Sequence, residues 1–194
     1  MFYFTSDSHF YDQRNLITNN RPFKSIKSFD NYVIKLWNKQ TTKNDTIYFL
    51  GDFVSCNGDD GWKKSILYVK RLKAKVVLII GNNEERIIKY FFDGDFDKFK
   101  NYCLNLGFVG VHKNLVINFD NTDFYLVHKP IHYNKNYINL FGHMHRSGGL
   151  YKPFGLNIGC DLNHFRLYSQ KDIFFMLEMK QKFWDKDKNL NMKI

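Results

Sequence analysis

The chain has 194 residues, 44% apolar and 18% aromatic, enough to bury one sizeable core and too few for two ordinary domains. Lys and Arg number 29 against 19 Asp and Glu, a formal charge of +10 that favours anionic partners such as phosphorylated metabolites or nucleic acid. The apolar content excludes a disordered chain, 12 Gly with three Pro exclude collagen-like or low-complexity organisation, and no apolar run approaches the roughly 20 residues a membrane helix needs.

The opening MFYFTSDSHF lacks the basic stretch, longer apolar region and small-residue cleavage site of a secretory signal, so a cytoplasmic location is expected. Cys56, Cys103 and Cys160 are far apart and form no CxxC pair, which argues for buried thiols over a disulfide framework or a zinc ribbon. No repeat or linker interrupts the chain, and residues 1–194 are expected to form one domain, with the polar last ten residues fraying.

Phe2 to Phe4 is a short aromatic run ending in Thr5-Ser6-Asp7, the pattern of a buried strand entering a polar loop. It recurs where Thr46 to Leu50 meets Gly51-Asp52, where Val76 to Ile80 meets Gly81-Asn82-Asn83-Glu84, and where Phe124 to Val127 meets His128. Ile26, Phe29, Val33, Leu36 and Trp37 lie between the first two runs, and Trp62, Ile66, Val69 and Leu72 between the next two, both at the spacing of one helix face. This alternation predicts a parallel sheet with covering helices.

Past Glu84, a short helix and a second amphipathic stretch ending near Leu106-Gly107 lead into a strand-rich half. Its candidate strands are Leu115 to Phe119, Asp123 to Val127, Ile138 to Phe141 and Leu156 to Ile158, with Asp120-Asn121 as a hairpin turn. Ser169-Gln170-Lys171-Asp172 is a capping arrangement ahead of Ile173, Phe174, Leu177 and Trp184, which predicts a C-terminal helix, a strand being the second choice.

Sites in open α/β sheets form where strands end at their carboxyl edge. The residues at those ends are Asp7 and His9, Asp52, Asn82, His128, and His143 with His145. All are oxygen or nitrogen donors, a mixture suited to Mn, Fe, Ni or Zn rather than to calcium or magnesium alone. Alternate residues of an extended chain project to one side, so His143 and His145 are expected to point together, with Gly142 permitting close approach.

The ordered set Asp7-Ser8-His9, Gly51-Asp52, Gly81-Asn82-Asn83-Glu84, His128 and Gly142-His143-Met144-His145 resembles the calcineurin-like metallophosphoesterase family. Asn20-Arg21-Pro22-Phe23, YFLGDF, VHKPI, Asn157 to Asp161 and Tyr168-Ser169 are similar to its small bacterial and phage members. The resemblance implies a four-layer α/β/β/α sandwich of two mixed sheets with a dinuclear metal site at the carboxyl edge. It implies two divalent transition-metal ions, Mn foremost, with Ni, Fe or Zn as alternatives. One ion would take Asp7, His9, Asp52 and His145; the other would take Asp52, Asn82, His128 and His143, so Asp52 bridges. The implied reaction is hydrolysis of a phosphate ester, most readily a diester, by in-line attack of a metal-bridging hydroxide.

The family usually has His where this chain has Asn83, and that His is taken to protonate or hydrogen-bond the leaving oxygen. Asn83 can only do the second, so poor leaving groups are expected to suffer most, and His132 or His112 is a candidate replacement acid. Arg146, Lys129 and Arg21 are candidate phosphate-binding residues, and Asp161 and His164 candidate supports for metal-bound imidazoles. A nuclease acting on single-stranded nucleic acid and a non-catalytic scaffold of the same fold are the competing readings. The expected partners are thus a phosphate ester, nucleotides included, with nucleic acid as an alternative and no membrane.

Overall fold

The computed structural model describes residues 1–55 and 61–185; Cys56 lies outside the described residues. Strands β1 (Phe2–Thr5), β2 (Thr46–Leu50), β3 (Lys75–Ile79) and β4 (Gly110–His112) lie side by side and parallel. A second sheet has the order β5-β6-β7-β9-β8, built from β5 (Leu115–Phe119), β6 (Thr122–Leu126), β7 (Ile138–Phe141), β8 (Tyr151–Lys152) and β9 (Gly155–Asn157). Strand β10 (Tyr168–Ser169) returns to the first sheet and pairs antiparallel with β1, so both sheets are mixed.

The helices form because their apolar residues share one face and their ends are capped. Helix α1 (Gln13–Thr18) is short and starts at Asp12, whose carboxylate accepts from the Arg14 and Asn15 amides. Helix α2 (Ile26–Gln40) is capped by Ser25 and buries Phe29, Val33 and Trp37, positions four apart. The stretch read as one helix from Trp62 to Leu72 divides into α3 (Gly61–Ile66) and a 3-10 segment, Leu67–Arg71, the tightening common at helix ends. Helices α4 (Asn82–Phe91) and α5 (Phe96–Leu106) follow, and α5 stops at Gly107, whose φ of 118° is costly for any residue with a Cβ. The C-terminal helix α6 (Gln170–Met179) starts at Ser169, which exchanges hydrogen bonds with Asp172, so the helix and not the strand alternative holds.

Two apolar clusters join these layers. The first lies between the first sheet and α2 to α5, with Phe10, Phe49, Phe53, Trp37 and Phe99 fully buried. The second lies between the sheets, where the Phe4 and Phe119 rings meet at 5.5 Å, and α6 adds Ile173, Phe174, Met176 and Leu177 to it. The α/β/β/α order results. The hairpin turn at Asp120 and Asn121 is as read: both have positive φ, 49° and 58°, which is the two-residue turn compatible with strand twist. Among the described residues no helix is long and apolar enough to cross a membrane.

Candidate metal centre

Strands β1, β2, β3, β6 and β7 all end at one edge, and the seven predicted ligands emerge there. Five of the seven, Asp7, His9, Asp52, His143 and His145, have φ between 44° and 72°. This left-handed backbone costs on the order of 1 kcal/mol or more per non-glycine residue, a concentration of strain typical of functional sites. It also corrects the expected geometry of His143 and His145. The chain is not extended there, and two left-handed residues, not strand alternation, turn these imidazoles to the site.

The strained loops are held by short bonds across the edge. Asp7 N–H donates to Gly51 O at 3.0 Å, His9 N–H to Asp52 O at 3.0 Å, and Gly142 N–H to His128 O at 3.0 Å. A buried carboxylate not among the predicted site residues, Glu84, accepts from the backbone amides of Gly81, Asp52, Phe53 and Val54, tying the end of β2 to the start of α4. Burial pushes its pKa up, and those amide bonds oppose the rise. The visible signal was its place three residues after Gly81, the capping position of a helix start.

Glycines make the close approaches possible. A Cβ on Gly142 would collide with Ser6 Oγ and Asp7 Oδ2, and one on Gly51 with His128 Nδ1 and Gly81. Gly142→Ala is therefore expected to displace the Asp7 carboxylate and weaken Mn or Zn binding by about 10- to 100-fold, read by calorimetry; unchanged affinity would exclude this role for Gly142.

The side chains converge in two overlapping groups. Asp7, His9 and His145 place donor atoms within 4.8 Å of one another, and so do Asp7, Asp52 and His128. Asp52 lies between the two predicted sets, with Oδ2 3.5 Å from His9 Nε2 and Oδ1 3.7 Å from His128 Nε2. Asn82 Oδ1 sits 3.1 Å from His128 Nε2 and 2.9 Å from His143 Nδ1, which brings in the last two residues. Asp7 belongs to both groups, a sharing that the sequence assigned to Asp52 alone.

These donors fit cations. His9 Nε2 is buried and has no hydrogen-bond partner among the described residues. His128 gives its Nδ1–H to Leu50 O at 2.7 Å, so in the neutral ring Nε2 presents a lone pair toward the Asn82 carbonyl, acceptor facing acceptor. Burial, with Glu84 and Asp7 nearby, raises Asp52 to about 7 although His128 opposes the rise. Burial acts against charging His128, yet Asp52, Asp7 and the Leu50 carbonyl together raise its pKa. Burial and the neighbouring His145 lower His9 well below its ordinary value.

Behind His145 stands a second layer of support. Its Nδ1–H donates to Asp161 Oδ2 at 2.8 Å, and Asp161 also accepts from Arg21 Nε and Nη2 at 2.8 and 2.9 Å. Burial opposes ionisation of Asp161, but the His145 and Arg21 hydrogen bonds hold it at about 2. Arg21 continues to the carbonyls of Ser8 and Asp7, both at 2.7 Å. Its side chain is wholly buried, which corrects its assignment to substrate: it braces the Asp7 loop from behind. Of the two candidate supports, Asp161 meets an imidazole, whereas His164 is exposed. Cys160 is buried and donates to Asp7 O, and Cys103 is buried in the first cluster.

Asn83 is also repositioned. Its side-chain amide is buried, donates to Val54 O at 2.9 Å and lies 3.0 Å from His9 Nδ1, so it faces the back of an imidazole rather than a substrate oxygen. Arg146 is exposed and lines a depression of about 440 Å³ with His145 and Asn20. Lys129 pairs with Glu85 beside His128. His132 is exposed and lines a cavity of about 480 Å³ together with Ile80 and Val127, and His112 is half-buried on β4.

With that site in view, residues 1–147 match the family described as calcineurin-like phosphoesterase. The chain belongs to this family, whose members are metal-dependent hydrolases acting on phosphate esters. An uncharacterized protein of Methanocaldococcus jannaschii, MJ1445, is 31% identical over 93 residues, which cover 45% of this chain and 52% of that protein. The chain thus spans about half the length of that curated relative. The crystal structure of a protein of unknown function from Aquifex aeolicus, AQ665, is 23% identical with a TM-score of 0.65, covering 91% of this chain and 98% of the other, and shares the fold. An archaeal phosphodiesterase aligns over 81% of each chain at 18% identity with a TM-score of 0.46.

Proposed function

We propose that this chain is a phosphodiesterase that works with two divalent transition-metal ions, Mn foremost, held by Asp7, His9, Asp52, Asn82, His128, His143 and His145. The observation that carries the reading is the convergence of Asp7 and Asp52 between two histidine sets, with His9 Nε2, buried and without a hydrogen-bond partner among the described residues, 3.5 Å from Asp52 Oδ2. Ions bound there would supply Lewis acidity toward phosphoryl oxygens and lower the pKa of water toward about 7. The residues themselves divide the work. Asp52 supplies a charge common to both sets, Asn82 contributes a neutral carbonyl that leaves one ion electrophilic, and Asp161 fixes the His145 ring. Arg146, exposed next to His145, would hold a phosphate oxygen in this reading.

One depression is lined by His145 itself with Arg146 and Asn20, and a second is lined by Val127 and Ile80, the chain neighbours of His128 and Gly81. A diester has a substituent to place in each, and a monoester has only one. With Asn83 turned to His9, no imidazole stands at that position to protonate a departing oxygen, so esters of good leaving groups are expected to react fastest. Purified protein given Mn, Ni or Zn should hydrolyse bis(p-nitrophenyl) phosphate faster than p-nitrophenyl phosphate and stop when chelator is added. A monoester preference would overturn the diester assignment, and no turnover of either ester with any metal would favour the scaffold.

A further inference from the structure

Behind three of the site imidazoles stands a group that decides which ring nitrogen carries the proton. Behind His128 it is the Leu50 carbonyl, 2.7 Å from Nδ1, and behind His145 it is Asp161 Oδ2, 2.8 Å from Nδ1. Both are acceptors. Each takes Nδ1–H and leaves the Nε2 lone pair of the neutral ring free for a cation. His9 differs, because the atom 3.0 Å from its Nδ1 is Asn83 Nδ2, a donor.

The Asn83 amide is not free to present its oxygen instead. Nδ2 also donates to Val54 O at 2.9 Å, and a carbonyl only accepts, so the reversed amide would set Oδ1 against it. Both ends of this contact are held. The Asn83 backbone amide donates to Asp52 Oδ1 at 2.9 Å, and Val54 N–H donates to Glu84 Oε1 at 3.2 Å. Asn83, Val54, Asp52 and Glu84 are all buried, where an unmade hydrogen bond is costly. With Nδ2 donating toward it, His9 Nδ1 is the bare nitrogen, and the proton of the ring sits on Nε2, 3.5 Å from Asp52 Oδ2. The lone pair that a cation needs at Nε2 is thereby taken.

We infer that Asn83 is a positioning residue that holds the His9 proton on Nε2, so that the set Asp7, His9, Asp52 and His145 takes a divalent cation later and more weakly than the set Asp52, Asn82, His128 and His143. The second half rests on the two-ion reading. For His9 to become a ligand, the proton leaves Nε2 and one returns to Nδ1, so the proton count of the ring is unchanged. The amide turns over and gives up Val54 O.

The chelator-treated full chain, studied at alkaline pH where the rings are neutral, tests the first half with no ion present. Long-range proton–nitrogen correlation spectra should show His9 protonated at Nε2, and His128 and His145 at Nδ1. Zinc titrated by calorimetry should then bind in two steps about tenfold apart, the His128 and His143 resonances changing in the first and those of His9 and His145 in the second. Asn83→Asp replaces the donor by an acceptor of the same shape, and should move the His9 proton to Nδ1 and tighten the second step by about tenfold. Asn83→Ala holds neither tautomer. It serves where a buried carboxylate prevents folding, and should tighten that step by roughly threefold. A residue that merely packs against His9 predicts the opposite sign, a loss of about 10- to 100-fold. Nδ1–H at His9 in the metal-free wild type, or weaker zinc binding by a folded variant, would overturn the inference. His9 protonated at Nε2 in a chain that binds no zinc keeps the assignment of Asn83 and loses the two-ion reading, and two-step binding to a ring protonated at Nδ1 does the reverse.

Discussion

Asp52→Asn is expected to lower phosphoesterase activity by at least about 10³-fold while leaving the metal-free fold as stable as before or more so. The two effects have opposite signs because they come from one charge. In the metal-free protein that charge is buried beside Glu84 and Asp7, and its pKa is about 7 against an ordinary 3.8. The folded state therefore holds a proton that the unfolded chain has released, and stability falls as pH rises from about 4 to 7. The amide carries no such charge and still offers Oδ1 to the Asn83 backbone amide, now at 2.9 Å, so its stability should be flatter over that window. Cations would reverse the balance for the wild type by using the charge. Thermal melts from pH 4 to 8 with chelator and with Mn, beside rates on a chromogenic diester, check both halves. Wild-type rates in the variant with both metals retained would refute the shared-carboxylate assignment.

Much of this arrangement was readable in the chain because it depends on local order. Each predicted ligand follows a strand run whose β-branched and aromatic residues are recognisable, and a parallel sheet carries such ends to one edge. The short elements escaped because two- and three-residue strands such as β4, β8 and β10, or the six-residue α1, carry too few positions for a period to show. Residue roles escaped for another reason. Arg21 lies among polar, motif-like residues and reads as a phosphate contact, but its partner Asp161 is 140 positions away, a distance no spacing rule crosses. Asn83 likewise stands where a reacting group is expected, and only the fold shows Val54 O and His9 beside its amide. The strain at Asp7, His9, Asp52, His143 and His145 has no sequence signal beyond the neighbouring glycines, since left-handed backbone is imposed by bonds from distant loops.

Arg21→Met should be the most destabilising of the substitutions considered, by about 3 to 5 kcal/mol, because it removes one partner of a fully buried ion pair and leaves the other. Asp161 would keep only His145, and the carbonyls of Ser8 and Asp7 would lose donors at 2.7 Å in a loop whose backbone is already left-handed. For a chain of this length the loss corresponds to a fall in Tm of about 10 °C or more. Removing the charge together with its partner should be milder, so the double variant Arg21→Met with Asp161→Asn is expected to recover part of the loss. The pair also has a pH signature. Asp161 is held at about 2, below its ordinary 3.8, so its contribution is complete above about pH 4 and disappears as pH falls through 2. Acid titration of the wild type should show that limb, and the double variant should lack it. If the guanidinium instead contacted substrate, as its neighbourhood in the sequence suggested, Arg21→Met would raise KM and leave Tm unchanged. Melting curves and steady-state kinetics on the same preparation therefore separate a brace from a phosphate contact.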